Sequence, residues 1–359
     1  MRYILLNPGP VSLSERVRRA AVGQDLCHRE PEYFRVQDRV RQALLGVYGC
    51  EADAWTSVLL GGSGTTALEA MMSSLLPRDG RLLIIENGVY GERISRIADI
   101  HGIAFEALHH DWMAAIDPAR VGEALQSGRF THVAAVHHET TTGRLNDVRE
   151  LAAQCEAHGA ALLLDAVSSF GAESIPFDSP ALTACAATAN KCLHGIPGLC
   201  LVLSRRTALQ EAVDPPRSLY LHLPLWAQQQ DRQSTPFTPP VNAVLALEEA
   251  LRELAGQGGW CARHAHYAKL AGRVKRALVR LGVEPLLAPG ESSCVLNAYR
   301  LPAGISYAQV HDGLKQRGFV IYAGQGVLAS EMFRISTMGD IGSYDMERLL
   351  AALQAVFSD

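Results

Sequence analysis

Short apolar runs alternate with amphipathic stretches through the first two-thirds of this 359-residue chain. The runs at residues 57–60, 81–86, 104–108, 132–137, 161–165, 185–189 and 199–204 have the length and composition of strands. Helical patterns lie between most of them, at 65–76, 91–101, 118–127 and 147–158. Runs that are apolar almost throughout suit strands buried on both faces, and the intervening helices supply the cover. The prediction is an α/β fold: a mostly parallel, seven-stranded sheet with helices on both faces. In such a sheet the ligand crevice lies beyond the carboxyl ends of the strands.

After a proline-rich break (Pro215, Pro216, Pro224, Pro236, Pro239 and Pro240) the pattern changes. A long helix is predicted at 241–254. It is followed by a helix at 262–281, a strand at 293–299, a helix at 307–317, strands at 319–322 and 332–335, and a helix at 344–357. That order reads as a smaller C-terminal α+β domain.

Residues with chemistry collect at the predicted strand ends. One apolar run delivers Lys191 into the loop Ala189-Asn190-Lys191-Cys192-Leu193-His194-Gly195-Ile196-Pro197-Gly198. An earlier one ends in Asp165, followed by Ala166-Val167-Ser168-Ser169-Phe170-Gly171. The two together suit pyridoxal 5′-phosphate (PLP). The amine condenses with the cofactor aldehyde as a Schiff base, and the carboxylate keeps the pyridine nitrogen protonated. A lone lysine would mean little, since most lysines are solvated surface charges. The pairing carries the reading.

Other segments have two readings each. Gly61-Gly62-Ser63-Gly64-Thr65-Thr66, between a strand and a helix, is either a phosphate cradle at a helix N-terminus or a plain glycine turn with a threonine cap. It matches neither a Walker sequence nor a full GxGxxG. Tyr90, in Asn87-Gly88-Val89-Tyr90-Gly91, is a ring stacked on the pyridine face or a core tyrosine. Thr141, in Glu139-Thr140-Thr141-Thr142-Gly143, offers its hydroxyl to the cofactor's 3′ oxygen or caps a turn. Arg334, inside the apolar Met332-Phe333-Arg334-Ile335-Ser336, needs an anionic partner: a structural acid, or a substrate carboxylate or phosphonate. The pairs His109-His110, His137-His138 and His264/His266 are expected on the surface or in hydrogen-bonded core positions, and no metal is expected, because neighbours on a strand face opposite ways. Cys192 reads as a small packing residue.

Composition narrows the class. Hydrophobic residues make up 48% and charged residues 19%, with a net charge of −4, which fits a soluble enzyme and argues against nucleic acid as a partner. Eight cysteines are scattered without CxxC spacing, so neither a zinc site nor a disulfide framework is expected, and a reducing cytoplasm is. The first apolar residues stop at Pro8-Gly9-Pro10, too short for a signal peptide, and no run of about 18 apolar residues suits a membrane span.

At these residues the chain resembles the fold-type I, class V aminotransferases over nearly its whole length, and within them the 2-aminoethylphosphonate–pyruvate branch. Class-wide likenesses are Asn7-Pro8-Gly9-Pro10, His28-Arg29-Glu30-Pro31-Glu32-Tyr33, Ser63-Gly64-Thr65, Glu139-Thr140-Thr141-Thr142-Gly143 and Thr238-Pro239-Pro240. The segments around Tyr90, Asp165 and Lys191, with Arg217-Ser218-Leu219-Tyr220-Leu221, are closer to the branch. The resemblance implies Lys191 and Asp165 as catalytic residues. It implies cofactor binding by Ser63, Gly64 and Thr65 at the phosphate, Tyr90 on the ring and Thr141 near O3′, together with Val167 and Asn190. Substrate contacts fall to Arg334, Pro8, Gly9 and Arg29. It also implies a homodimer with shared sites, Thr238 reaching the neighbouring subunit's phosphate. The corresponding domains are an N-terminal segment at the active-site entrance (1–20), a large PLP-binding domain (21–250) and a small C-terminal domain (251–359). Three departures fall where the branch binds substrate: Tyr322-Ala323-Gly324-Gln325 stands for Tyr-Pro-Gly-Lys, Ser336-Thr337-Met338-Gly339 for a glycine-rich turn, and His222 for an acid.

The expected function is a cytoplasmic PLP-dependent transamination of 2-aminoethylphosphonate with pyruvate, giving phosphonoacetaldehyde and L-alanine. Rivals are an alanine–glyoxylate or serine–pyruvate type aminotransferase and a PLP lyase on the same fold. Desulfurases of the class use a mobile catalytic cysteine, and no matching loop stands out. A non-catalytic binding protein is disfavoured by the presence of both Lys191 and Asp165.

Overall fold

The computed structural model describes residues 3–128 and 130–358. Strands β1 (Trp55–Gly61), β2 (Leu82–Glu86), β3 (Phe105–His109), β4 (His132–Val136), β5 (Ala161–Asp165), β6 (Leu182–Thr188) and β7 (Leu199–Arg205) form one sheet, ordered β1-β7-β6-β5-β4-β2-β3. Strand β7 runs antiparallel to both its neighbours, and the other adjacent pairs are parallel. The mostly parallel, seven-stranded prediction holds, with strand ends displaced by a few residues.

Apolar runs become central strands here because each pleat feeds two cores. Leu83 and Ile85 join Leu162 and Leu164 on one face, while Leu82 and Ile84 join Leu163 on the other. All are buried, and each contributes roughly 1.5–3 kcal/mol by leaving water. Helices Gly64–Leu75, Val89–Ile100, Pro118–Ser127 and Val148–Ala157 are the predicted crossovers. The last starts where the Asp147 side chain accepts hydrogen bonds from Arg149 and Glu150 N–H.

A third core lies in the C-terminal part, around an antiparallel sheet of β8 (Leu296–Arg300), β9 (Tyr322–Ala323) and β10 (Met332–Ser336), ordered β8-β10-β9. The single strand predicted at 319–322 is two. Phe319–Val320 pairs in parallel with Ile4–Leu5, whereas Tyr322–Ala323 pairs with β10. The chain turns at buried Ile321, and this links the N-terminal segment to the C-terminal core through Ile4 and Leu6. Helix Pro31–Gly46 was not anticipated.

Candidate active site

The loops that follow the carboxyl ends of the parallel strands share one sheet edge, and they carry most of the predicted residues. Lys191 sits in the turn after β6. Its carbonyl accepts from His194 N–H at 2.9 Å, and the Arg263 guanidinium holds the next carbonyl, Cys192 O, at 2.6 Å. The turn is therefore fixed, while the Lys191 ammonium forms no hydrogen bond or ion pair among the described residues. Asn190 accepts from the Thr188 hydroxyl at 2.8 Å. Gly9 comes in from the N-terminal segment at φ +104°. A Cβ there would lie 2.9 Å from Lys191 Cγ and 3.3 Å from Asn190 O.

Asp165 closes β5, is buried, and accepts from Val167 N–H at 2.9 Å on Oδ1. Its other carboxylate oxygen takes no hydrogen bond among the described residues. Burial raises its pKa, against the opposing pull of Lys191 and Arg93. Gly64 opens the next helix directly against this loop: a Cβ on it would meet Val167 Cγ1 at 2.5 Å. The helix starts one residue before the predicted threonine cap, with Ser63 N–H donating to Thr66 Oγ1 at 3.1 Å. Arg93 reaches over from helix Val89–Ile100. It donates to Thr65 Oγ1 at 3.3 Å and lies 4.6 Å from the Tyr90 ring centroid. No acid pairs with Arg93 among the described residues, so a cation and a helix N-terminus adjoin one small-residue cradle. These features fit PLP: an amine without a partner, a buried carboxylate with one oxygen open, and a glycine-lined, electropositive cradle for a phosphate.

Thr141 and Tyr90 are tied together by Glu139. This fully buried carboxyl accepts from Tyr90 N–H (3.2 Å), Gly91 N–H (3.4 Å), Thr141 N–H (3.0 Å) and the Thr141 hydroxyl (2.6 Å). Thr141 Oγ1 accepts in turn from Val89 N–H at 3.1 Å. Gly88 leaves the room: a Cβ on it would stand 2.4 Å from Glu139 Cδ. The carboxyl thus satisfies the first amides of the helix that bears Tyr90. Burial outweighs those hydrogen bonds and raises its pKa to about 7.

Arg334, on β10, is buried without an acid. Its Nε donates to Ala323 O at 2.9 Å, and its Nη1 to Thr140 O at 2.8 Å and to Gln325 Oε1 at 3.0 Å. No salt bridge to it forms among the described residues. Burial lowers its pKa, and nearby Tyr90, Glu139, Tyr307 and Tyr322 work the other way. The structural-acid reading therefore finds no acid, and the arginine bridges from the C-terminal sheet to the Thr141 loop.

Other predicted residues stand elsewhere or do other work. Arg29 is exposed and donates to Thr235 O at 2.8 Å, which ties it to the loop that carries exposed Thr238. Pro8 is buried beside Gly9. His222 is corrected outright. It precedes helix Leu223–Asp231, where Leu223 N–H donates to Ser74 Oγ near the end of helix Gly64–Leu75, at the sheet edge opposite Lys191. Ser336 is buried, its N–H donating to Leu6 O and its hydroxyl to Val295 O, so it fastens the N-terminal segment. Arg217 binds the carbonyls of Ser73 and Leu76. His137 and His138 are core residues, pushed down to about 4 and about 3 by burial. Glu173, His264 and Cys294 place ligand atoms within 4.8 Å of one another, but His264 Nδ1 lies 2.9 Å from Ala172 O, and Glu173 accepts from the Ser293 hydroxyl and from Cys294 N–H. Cys192 is buried, its thiol pushed up to about 12.

Glu139, Arg93 and Gln325 were not assigned roles from sequence. Glu139 and Gln325 lie within the segments 139–143 and 322–325, and Arg93 lies one helical turn beyond Tyr90, the spacing that could have flagged it.

The class-V aminotransferase family model matches residues 22–341. A 2-aminoethylphosphonate–pyruvate transaminase of Syntrophobacter fumaroxidans is 38% identical over 357 residues, covering 98% of this chain and 95% of that protein. One of Phocaeicola vulgatus is 34% identical, with 99% of each covered. Among solved structures, a subgroup IV aspartate aminotransferase of Thermus thermophilus superposes with a TM-score of 0.91 at 28% identity, over 99% of each chain.

Proposed function

This chain belongs to the class V aminotransferases, PLP-dependent enzymes, and from that premise we propose that it transfers the amino group of 2-aminoethylphosphonate to pyruvate. The products are phosphonoacetaldehyde and L-alanine. The full-length likeness to 2-aminoethylphosphonate–pyruvate transaminases supports the substrate pair. The structural observation that carries it is Arg334: a buried guanidinium, held by carbonyl and amide oxygens, with no acid among the described residues forming a salt bridge to it. An anionic substrate tail answers that demand.

PLP, when bound, supplies an electron sink for the pair left at the donor carbon. The chain's own groups do the rest. Lys191 would hold the cofactor through its amine, which has no competing partner among the described residues, and the same amine would serve to move the proton taken from the donor carbon. Asp165 keeps the pyridine nitrogen protonated from its buried, half-occupied carboxylate. Ser63, Gly64 and Thr65 bind the phosphate at the start of their helix, with Val167 packed behind. Tyr90 supports the ring, Thr141 stands by the 3′ oxygen, and Asn190 steadies the lysine turn. Pro8 and Gly9 wall the substrate side.

The likeness to the class supports a homodimer with shared sites, in which exposed Thr238 and Arg29, joined through Thr235, would face the second copy. Residues 1–20, 21–250 and 251–359 act as entrance segment, cofactor domain and small domain. No described helix is long and apolar enough to cross a membrane. All eight cysteines are free, which suits a reducing cytoplasm.

A half-reaction screen tests the function. Purified PLP-loaded enzyme is mixed with single amines while its visible spectrum is followed. Conversion to the amino form of the cofactor with 2-aminoethylphosphonate, reversed by pyruvate with release of alanine, is expected. Faster conversion by alanine or serine than by the phosphonate would move the assignment to that branch. Turnover without any amino form accumulating would indicate a lyase.

A further inference from the structure

The Arg334 guanidinium has five N–H groups. Nε–H goes to Ala323 O, and the two on Nη1 go to Thr140 O and Gln325 Oε1. The two on Nη2 have no partner among the described residues. Two of the three acceptors are main-chain carbonyls built into secondary structure: Ala323 lies on β9, paired with Phe333, and Thr140 belongs to the turn closed by Glu139. Only the third, the Gln325 amide, can leave by turning a side chain. Gln325 is half-buried, on the stretch just after β9, and its side chain can turn without breaking a main-chain pairing.

We propose that Gln325 is a specificity-determining residue that occupies part of the anion seat on Arg334 and, when the donor arrives, turns to give its amide N–H to the anion. The proposal rests on the phosphonate reading above. In the free protein, Gln325 Oε1 accepts from Nη1 and keeps that donor satisfied in a buried place. An arriving anion takes over Nη1 and Nη2. The displaced amide then offers Nε2–H₂ in place of Oε1. A side-chain amide can hold both positions because it carries an acceptor and a donor on one planar group. A lysine at 325 is all donor and could not accept from Arg334.

The arithmetic of oxygens gives the selectivity. A carboxylate has two oxygens, which Nη1 and Nη2 satisfy. A phosphonate has three, and the third needs the donor that Gln325 brings. Displacing the amide from Arg334 is common to both anions and cancels when they are compared. The third-oxygen contact does not cancel.

The test uses PLP-loaded enzyme and two anions without an amine, ethylphosphonate and propanoate, as competitive ligands. Beside them, kcat/KM is measured for 2-aminoethylphosphonate and for 3-aminopropanoate, its carboxylate counterpart. In Gln325→Ala the phosphonate-to-carboxylate preference should fall on the order of tenfold in both binding and kcat/KM, the factor that corresponds to ~1.4 kcal/mol. Gln325→Met, which keeps length without hydrogen bonding, should behave alike, and it serves if the alanine variant is poorly folded. Gln325→Glu should weaken both anions by pairing with Arg334. An unchanged ratio in the alanine and methionine variants overturns the proposal, whether both affinities fall together or neither moves. A wild-type enzyme that ignores 2-aminoethylphosphonate would sink the functional reading instead, and the ligand-binding ratio would still decide the role of Gln325.

Discussion

Gly9 is packed onto the stem of Lys191. A methyl group at Gly9 would sit 2.9 Å from Lys191 Cγ and 3.4 Å from Cε, and Gly9 itself adopts φ +104°, where side chains are strained. The N-terminal segment therefore presses on a lysine whose amine has no hydrogen-bond or ion-pair partner among the described residues, and it does so through main chain alone.

Gly9→Ala should accordingly injure the lysine without unfolding the sheet. The variant should fold, with a modest loss of melting temperature, yet hold cofactor less firmly and turn over at least tenfold more slowly. Borohydride reduction followed by mass spectrometry reads the fraction of Lys191 carrying cofactor. Full labelling with parental turnover would mean that the contact relaxes without consequence.

Asp165→Asn should keep the fold, because Oδ1 can still accept from Val167 N–H. It should lose most of its activity, because a neutral amide cannot hold the pyridine nitrogen protonated. Weaker cofactor binding should accompany the loss, since removing one partner of a buried charged pair is costly. Titration of apoprotein with PLP measures the affinity and stopped-flow measures the rate. Parental values for both would reduce Asp165 to a loop-capping role.

Glu139 gives a pH signature of its own. Its carboxyl is raised from 4.5 to about 7, with burial the main cause and Asp165 a lesser one. Folded protein then holds a proton there that unfolded chain has already released, so stability falls as pH rises from about 4.5 to about 7 and levels off above. The full effect is roughly 3 kcal/mol at most. Glu139→Gln cannot titrate. Denaturant unfolding of the apoprotein between pH 5 and 8 should show wild type losing ground to the variant as pH rises. Parallel curves would mean that the Tyr90 and Thr141 hydrogen bonds keep Glu139 ionised throughout.

Much of this architecture was legible because its signals are local. Runs such as Leu82–Glu86 read as strands on their own, and Asp165 and Lys191 stood out as the residue types a strand end needs for this chemistry. Helix Pro31–Gly46 carries a usable stripe, Tyr33, Val36, Val40 and Leu44, but interleaved arginines obscured it. What escaped is long-range. Glu139 works through amides at Tyr90 and Gly91, and Arg334 leans on a carbonyl 194 residues away. Such partners are chosen by the fold, and no spacing in the chain announces them. His222 shows the reverse error: its neighbours in sequence suggested the site, and the helix it starts packs at the other edge of the sheet.

Arg334→Lys separates anion capture from scaffolding. The variant keeps a positive charge but replaces a planar fork with a point, so it cannot hold Ala323 O, Thr140 O and a substrate anion together. If the guanidinium receives the donor's anion, capture of 2-aminoethylphosphonate should weaken by roughly 2–5 kcal/mol, the scale for disrupting a desolvated charged pair. The loss should appear in kcat/KM, with the cofactor spectrum unchanged. Because Arg334 also steadies Thr140, beside Thr141, some loss could come from a shifted loop, and a neutral amine of similar length is the control. That amine should lose little, since it makes no demand on the guanidinium. Equal losses for charged and neutral donors, or a lower melting temperature with intact kinetics, would make Arg334 a strut between the C-terminal sheet and the Thr141 loop, and the phosphonate assignment would then lean on likeness to relatives.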